Sequence, residues 1–312
     1  DVYKRQGAAR YALASGNRNE AEKLWPLIEW CLEYCHRQLN VDGVVKSDSD
    51  ELENRFPAGK ANLCTSSLYY DALISAAYLG KALKKEHKQI KSYQDRAAEL
   101  YKNIDVYFAR NVEGYDTYRY YDGNTVLRSW ICIPLTMGIY EQAKGTVEAL
   151  FSDKLWMENG LLTQSGTSTY WDRSTLYAFR GAYSCGARDI ATEYLDKYSA
   201  TRLLGDHVPY AVEAWPEGNQ RHLSTESALY CRIMTEGLFG IRPIALDAFV
   251  MTPQLPESWN MMSLKRVCAF GSIFDIEVKR DKDNKLSVLI KKDHKIVKRS
   301  KIMNGKPIEV RI

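Results

Sequence analysis

A polar stretch late in the chain combines carboxylates with an indole ring. It reads Val212-Glu213-Ala214-Trp215-Pro216-Glu217-Gly218-Asn219, so Glu213 lies two residues from Trp215 and Glu217 follows four residues after Glu213. A carboxylate can act as a general base, and the flat apolar face of an indole can stack on a sugar ring. We therefore predict Glu213 to be one of two catalytic carboxylates. Capping of a helix or a simple ion pair is the alternative role for this residue.

The partner carboxylate is expected in the long polar segment 40–64. Its acidic residues are crowded together and are followed by an arginine: Asp48, Asp50, Glu51, Glu53 and Arg55. Crowding of like charges raises the pKa of one carboxyl, as a general acid requires, whereas a nearby arginine lowers it. Glu51 is the preferred acid, with Asp50 and Glu53 as alternatives, and Glu217 is the alternative to Glu213 as base. A solvated run of charges is the competing explanation of the segment.

Side chains that could hold a sugar fall in the same long connections between helical stretches. The candidates for substrate binding are Arg55, Tyr118, Tyr121, Trp156, Tyr170, Trp171, Arg173 and Trp215. Packing in the core explains any one of the aromatic rings as well as sugar stacking does. His207 and His222 lack the spacing of a metal-ligand pair, so neither a metal nor another cofactor is expected.

The stretches that must position these residues follow helical periodicity from residue 1 to about 240. The spacing of apolar residues predicts about nine helices, joined alternately by short turns and long loops, with Pro134 interrupting a helix over 126–140. Such alternation places the long loops at one end of a helical barrel, where loops form a cleft. Asn17, with Glu20 three residues later, is predicted to begin one of these helices.

After Gly240 the pattern changes to a period of two. Phe274, Ile276 and Val278 alternate with charged residues, which predicts strands with one buried face. We expect a helical catalytic domain over residues 1–242 and a small antiparallel β-sheet domain over residues 243–312.

Composition restricts the classes of partner. Residues 279–312 hold 12 Lys/Arg against 4 Asp/Glu, so the remaining 278 residues hold 31 Lys/Arg against 35 Asp/Glu, a net charge of −4. A mildly acidic body argues against nucleic acid, and also against a polysaccharide lyase, which would need a basic cleft. The seven cysteines lack the spacing of a disulfide framework, and no apolar run is long enough to span a membrane. A carbohydrate is the expected partner.

The junction between the two patterns carries a resemblance. Glu236-Gly237-Leu238-Phe239-Gly240-Ile241-Arg242-Pro243, followed by Pro253-Gln254-Leu255-Pro256 and Trp259, is similar to the passage that links the last barrel helix to a C-terminal β-sandwich in the six-hairpin glycosidases. That group includes the α-L-rhamnosidases, the glucoamylases and the maltose and cellobiose phosphorylases. The resemblance implies a mainly α fold, an incomplete (α/α)6 toroid followed by a small antiparallel β-sandwich.

The same resemblance implies roles for the two polar segments. Counting helices back from the last one places segment 40–64 between the fifth and sixth toroid helices and segment 199–222 between the eleventh and twelfth, which leaves about three earlier helices absent. Loops at those two positions commonly carry the acid and the base in these families. Glu213-Ala214-Trp215 looks like the Glu-x-Trp of the rhamnosidase base loop. Asp50-Glu51-Leu52 looks like the Asp-Glu-Tyr acid motif of maltose phosphorylases, with Leu52 in place of Tyr.

The function implied is an inverting glycoside hydrolase acting on oligosaccharides or glycan side chains. A glycoside phosphorylase of the same fold and a non-catalytic carbohydrate-binding module are the alternatives. The sequence starts at Asp1, without an initiator Met, inside a helix-like pattern, so an N-terminal truncation is expected. The sequence is compatible with a location in the periplasm or in the cytoplasm.

Overall fold

The computed structural model describes residues 2–50, 56–202 and 224–312, with backbone alone for residues 2–6 and 224–225. The chain divides into two compact units. Unit 1 comprises Asp1–Tyr34, Asp71–Ala97 and Leu238–Ile312, and unit 2 comprises Cys35–Tyr70 and Ala98–Gly237.

Nine α-helices lie within the described residues, which confirms the number predicted from periodicity. They are α1 Val2–Ser15, α2 Arg18–Arg37, α3 Leu63–Ala82, α4 His87–Phe108, α5 Ile133–Met137, α6 Ala143–Leu150, α7 Asp172–Ser184, α8 Arg188–Arg202 and α9 Ser224–Arg232. A 3₁₀ turn at Ser129–Cys132 precedes α5, and a π-helical turn at Ile233–Leu238 follows α9. None of the helices described is both long and apolar enough to cross a bilayer.

The strands described are short and all of their pairings are antiparallel. They are β1 Ala109–Val112, β2 Tyr115–Tyr118, β3 Trp156–Met157, β4 Gly160–Leu161, β5 Ile241–Ala245, β6 Ala248–Met251, β7 Met261–Ala269, β8 Ser272–Arg280, β9 Leu286–Lys292, β10 Lys295–Ile302 and β11 Ile308–Arg311. The last seven form a three-stranded sheet of order β11-β6-β5 and a four-stranded sheet of order β10-β9-β8-β7.

In unit 1, the helix signal at Asn17 is confirmed. The Asn17 side-chain oxygen accepts hydrogen bonds from the backbone N–H groups of Asn19 and Glu20 at 3.0 and 3.2 Å, as an N-cap residue does. The preceding Gly16 adopts φ +71°, and a Cβ there would lie 2.4 Å from the backbone nitrogen of Gly271. Only glycine therefore allows the turn between α1 and α2 to pass so close to the β7–β8 turn.

A buried carboxylate joins three elements of unit 1. Asp71 of α3 is fully buried and accepts hydrogen bonds from Nε and Nη2 of Arg10 in α1, at 3.0 and 2.9 Å. It also accepts one from Nη2 of Arg242 in β5, at 2.8 Å. Buried charges are stable only when they are paired in this way, so Asp71 fixes α1 and β5 against α3.

The sheets of unit 1 have the alternation that the sequence predicts. Phe274, Ile276 and Val278 of β8 are buried, as are Leu286, Val288 and Ile290 of β9. The rings of Phe249, Phe270 and Phe274 pack with centroids 5.1–6.3 Å apart. One face of the four-stranded sheet is therefore apolar, as a period of two requires.

In unit 2, the region predicted as one helix over 126–140 is different. Arg128 is extended, the 3₁₀ turn follows, and α5 begins at Ile133 with Pro134 in its first turn. Proline lacks the N–H that a helix interior needs, whereas the first turn leaves that donor free. The prediction of an interruption at Pro134 is confirmed, but the helix before it is wrong.

Two hairpins lie in segments predicted as loops. β1 and β2 pair around a turn at Glu113-Gly114, and β3 pairs with β4. Helix α6 packs directly on β2: a Cβ at Gly145 would lie 1.9 Å from the backbone oxygen of Asp116. The side-chain oxygens of Glu113 accept hydrogen bonds from the Leu127 N–H at 2.7 Å and from Ser165 Oγ at 3.2 Å.

The fold class is thus mainly α with small antiparallel sheets at the end of the chain, as predicted. The expected division at residue 242 and the packing of the two sheets as a sandwich stay predictions.

Candidate functional site

Asp50 is the alternative acid that lies within the described residues, and its side chain is only 2% exposed. The Tyr120 hydroxyl donates a hydrogen bond to Asp50 Oδ2 at 2.8 Å, and Nη2 of Arg128 lies 3.9 Å from the same oxygen. Burial raises the pKa of the Tyr120 phenol well above its ordinary value, so the phenol remains a donor at neutral pH.

Asn62 ties the acidic segment to the beginning of α3. Its side-chain oxygen accepts a hydrogen bond from the Thr65 N–H at 2.8 Å, the arrangement of a helix N-cap. Its amide nitrogen donates to the carbonyl oxygens of Ser47 and Ser49, at 3.4 and 3.2 Å. The chain just before Asp50 is therefore held by a rigid helix end.

Arg128, the charged neighbour of Asp50, is 1% exposed. Its guanidinium carbon is over the rings of Phe56 and Tyr120, 5.0 and 4.7 Å from their centroids, and Nη1 donates to the Pro57 carbonyl oxygen at 3.1 Å. Burial lowers the pKa of Arg128, but the guanidinium remains charged. Its Nε and Nη2 have no hydrogen-bond partner among the residues described.

Trp130 follows in the 3₁₀ turn and is 1% exposed. Its ring centroid is 4.6 Å from that of Trp171 and 5.5 Å from that of Tyr177, with an edge-to-face arrangement in the second pair. The indole N–H is buried and finds no acceptor in the described part of the chain. The turn is fixed by Ser129, whose backbone N–H donates to the Thr163 carbonyl oxygen at 3.1 Å.

Arg173 continues the contacts into α9. Its guanidinium carbon is 5.7 Å from the Trp171 ring centroid, and its Nε and Nη2 both lie 2.6 Å from Oε1 of Glu226. Glu226 is fully buried in the first turn of α9, where a negative charge is favoured by the helix dipole. Its second oxygen, Oε2, has no partner within the described ranges.

These side chains form two sets of contacts, Asp50 with Tyr120 and Arg128 and, beginning two residues further along the chain, Trp130 with Trp171, Arg173 and Glu226. We call the two sets together the polar–aromatic row. It belongs entirely to unit 2. It extends from the edge of the acidic segment to the helix that follows segment 203–223. Four of its buried polar atoms have no described partner, whereas native proteins pair nearly all such atoms.

Two consecutive residues of α7 hold the residues on either side of segment 203–223. Asp172 accepts a hydrogen bond from Nη2 of Arg202, the last residue of α8, at 2.9 Å, and both side chains are about 2% exposed or less. Arg173 binds Glu226 near the beginning of α9. The first turn of α7 therefore holds both the last residue of α8 and the first turn of α9.

The predicted site residues have different outcomes. Asp50, Trp171 and Arg173 belong to the row. Tyr121 and Tyr170 are half-buried, whereas Tyr118 is only 1% exposed, and the sugar-stacking role of all three stays a prediction. Trp156 packs against three aromatic rings, Phe151, Phe179 and Tyr194, at 4.7–5.6 Å.

Six predicted residues lie outside the described ranges: Glu51, Glu53, Arg55, Glu213, Trp215 and Glu217. Their roles stay predictions. Across the described ranges, no group of three or more His, Cys, Asp or Glu side chains is arranged to hold a metal ion.

Three members of the row were not predicted as candidates from the sequence: Arg128, Trp130 and Glu226. Arg128 and Trp130 lay in a stretch assigned to a helix, although Pro134 just beyond them signalled a break in that helix. Glu226 was hidden in the first turn of the last predicted helix, where an acidic residue is usual for reasons of capping.

No family model and no curated protein matches the chain. Among solved structures it is similar to a sialidase, with a TM-score of 0.75 and 14% identity, over 99% of this chain and 32% of the other. It is also similar to a GH78 family rhamnosidase of Bacillus sp. GL1, with a TM-score of 0.60 and 12% identity over 93% of this chain and 30% of the other. A rhamnosidase from Klebsiella oxytoca with rhamnose bound has a TM-score of 0.54 and 14% identity, over 77% of this chain and 46% of the other.

The chain thus spans about a third of the length of the first two structures and under half of the third. At such identities the likeness concerns the fold alone. The helices and sheets described above have the fold of the six-hairpin (α/α)6 glycosidases, as the junction residues predicted.

Proposed function

We propose that the protein is a glycoside hydrolase that cleaves oligosaccharides or glycan side chains by an inverting acid/base mechanism. The observation that carries this proposal is the polar–aromatic row, in which the buried carboxylate of Asp50 is paired with Tyr120 and Arg128, and that of Glu226 with an arginine packed on an indole. Carbohydrate sites combine aromatic surface with charged and polar groups in this way. The six-hairpin glycosidase fold supports the same class of reaction.

The reaction needs a protonated acid at the leaving oxygen and a carboxylate that activates water on the opposite face of the sugar. We assign the acid to Glu51, with Asp50 and Glu53 as alternatives, and the base to Glu213, with Glu217 as its alternative. In an inverting enzyme the two carboxyl groups lie about 6.5–9.5 Å apart. Trp171 and Arg173 supply apolar surface and hydrogen-bond donors, and Arg55, Tyr121, Tyr170 and Trp215 are further candidates for substrate contact.

Two features favour hydrolysis over phosphorolysis and simple binding. A phosphorylase places phosphate where the activated water would lie and does not need a base carboxylate, whereas Glu213 provides one. A non-catalytic module needs no pair of carboxylates in two separate segments. The α-L-rhamnosidases and the sialidase of similar fold suggest that terminal sugars removed from larger glycans are the first substrates to test.

The proposal is tested on the intact protein, including any residues that precede or follow this chain. A panel of aryl glycosides, with α-L-rhamnosides and sialosides among them, is incubated with and without inorganic phosphate, and the released sugar is followed by NMR. We expect release of free sugar that does not depend on phosphate, with inversion at the anomeric carbon. Phosphate-dependent release would identify a phosphorylase, and sugar binding without turnover would identify a binding module.

The residue assignments are tested in the same assay. Glu213→Gln is expected to lower kcat by at least about a thousandfold without loss of stability, because the base acts in the chemical step. Glu193→Gln is the matched control, since Glu193 of α8 is 61% exposed and pairs with Lys197 one turn away. Retention of activity in Glu213→Gln would move the role of base to Glu217.

A further inference from the structure

The Nε–Nη2 edge of the Arg128 guanidinium makes no hydrogen bond to the residues described. The Nε–H and Nη2–H bonds point in the same direction, along the edge that binds two acceptor oxygens side by side in arginine–carboxylate pairs. Both nitrogens are buried and have no hydrogen-bond partner in the described part of the chain, whereas Nη1 is bound to the Pro57 carbonyl oxygen. The rings of Phe56 and Tyr120 hold the plane of the guanidinium in place.

Asp50 compensates the charge of Arg128 without filling this edge. Its Oδ2 is 3.9 Å from Nη2, which is too long for a hydrogen bond but close enough for strong charge attraction in a buried place. Asp50 Oδ2 already accepts a hydrogen bond from Tyr120. Asp50 thus offsets the charge of Arg128, but the Nε and Nη2 donors have no acceptor among the residues described.

A ligand that binds the Nε–H and Nη2–H groups together would supply two adjacent oxygen atoms. A carboxylate and a pair of neighbouring hydroxyl groups on a sugar ring both meet that geometry. A carboxylate would add a second negative charge close to Asp50 in a buried site, and like charges in that position repel strongly. Neighbouring hydroxyls add no charge, so the neutral ligand fits better. The indole N–H of Trp130, two residues further along the chain, is a further buried donor without a described acceptor.

We propose that Arg128 binds two adjacent hydroxyl oxygens of a neutral sugar ring through its Nε–H and Nη2–H groups. The identification of the ligand as a sugar rests on the proposed function. The residue and the preference for a neutral ring go beyond it. Because Arg128 is only 1% exposed, neighbouring side chains must move aside for the ligand, so association is slower than diffusion allows.

The test measures binding by calorimetry, separately from turnover. The ligands are L-rhamnose, D-mannose, D-glucose and D-galactose, with D-glucuronate and D-galacturonate as anionic counterparts that keep the same ring hydroxyls. We expect at least one neutral sugar to bind, and each uronate to bind more weakly than its neutral counterpart. Arg128→Lys is expected to weaken binding at least about tenfold, because lysine keeps the charge but does not present two parallel donors.

The control is Arg10→Lys, which alters another partly buried arginine that is bound to Asp71 in unit 1. It should leave the Kd for the sugar within about twofold. A second measurement does not depend on the folding of a variant: monodeoxy analogues of the tightest sugar are titrated into the unaltered protein. Removal of either of two adjacent hydroxyls should weaken binding at least about tenfold, and Arg128→Lys should then abolish that discrimination.

Three results would overturn the proposal. They are an unchanged Kd in Arg128→Lys, tighter binding of a uronate than of its neutral counterpart, and no binding of any neutral sugar at its highest soluble concentration. The outcome for the proposed function is separate. If the monodeoxy analogues bind as expected but no sugar is hydrolysed, the proposed hydrolase function is contradicted and the Arg128 site is supported. If sugar is hydrolysed but the Kd is unchanged in Arg128→Lys, the hydrolase function is supported and the Arg128 site is contradicted.

Discussion

Replacement of Glu226 by glutamine tests whether the row is held together by its buried ion pair. The change keeps the shape of the side chain and removes its charge. Two nitrogens of Arg173 lie 2.6 Å from Glu226 Oε1, so the substitution removes the anionic partner of a guanidinium packed against Trp171. Glutamine can still accept one hydrogen bond at the same position.

The expected magnitude follows from burial. Removing one member of a buried ion pair costs about 3–5 kcal/mol, because the other charge is left without compensation. Glu226 is fully buried, but the Arg173 side chain is 19% exposed and can recover part of its solvation. With one hydrogen bond retained, we expect a loss of about 2–3 kcal/mol in the free energy of opening of α7 and α9.

Hydrogen exchange of the α7 and α9 backbone amides measures this free energy locally, which avoids treating the two units as one cooperative transition. Glu193→Gln, at an exposed pair one turn apart on α8, should cost no more than about 0.5 kcal/mol. The double variant Glu226→Gln/Arg173→Met should recover part of the loss, since no unpaired charge remains. A Glu226→Gln effect no larger than that of Glu193→Gln would refute the reasoning.

Three further predictions concern stability. Asp71→Asn should destabilise unit 1 by about 3–5 kcal/mol in urea titrations, because two arginines lose their buried anion, and a change under about 1 kcal/mol would contradict this. Gly145→Ala should cost about 1–3 kcal/mol by the same method, since its Cβ would meet the backbone oxygen of Asp116, and an unchanged urea midpoint would contradict the close packing of α6. For Glu113, burial alone would raise the pKa, but hydrogen bonds from the Leu127 N–H, Lys154 and Ser165 outweigh it and lower the pKa below 4.5. The stability difference between the protein and Glu113→Gln should therefore be full above about pH 5 and shrink as the pH falls below 4.5 through the folded pKa; a difference that grew towards acid pH would contradict the assignment.

Much of the fold was predictable because its signals are local. Helical periodicity and the N-cap at Asn17 depend on residues within one or two turns, and the period of two around Ile276 depends on one strand. The 3₁₀ turn at Ser129–Cys132 was not predicted because it depends on a distant partner, the Thr163 carbonyl oxygen. Short hairpins such as β3–β4 contain too few residues for a period to show.

The candidate site was predictable in its chemistry but not in its pairing. Asp50, Trp171 and Arg173 could be chosen because carboxylates, indoles and arginines in long connections suit a sugar. Their partners were not visible: Glu226 is 53 residues from Arg173, and no local pattern links them. Arg128 is the clearest omission, since its meaning depends on a buried edge that only the structure shows.

The buried charges of α7 indicate why the row exists. Asp172 and Arg173 are consecutive in α7 and Arg180 follows about two turns later. Their ionic partners are Arg202, Glu226 and Glu236 respectively, at 2.6–2.9 Å. Apolar residues of similar volume would stabilise such positions equally well or better, because desolvation offsets most of the attraction in a buried ion pair. A gain in folding stability therefore does not explain why α7 carries three ion pairs in place of apolar contacts. Each pair instead fixes the position of another element against α7: the first holds the end of α8, the second the first turn of α9, and the third the π-helical turn after α9. We infer that α7 is charged because its ion pairs set the orientation of α8, α9 and the π-helical turn around it.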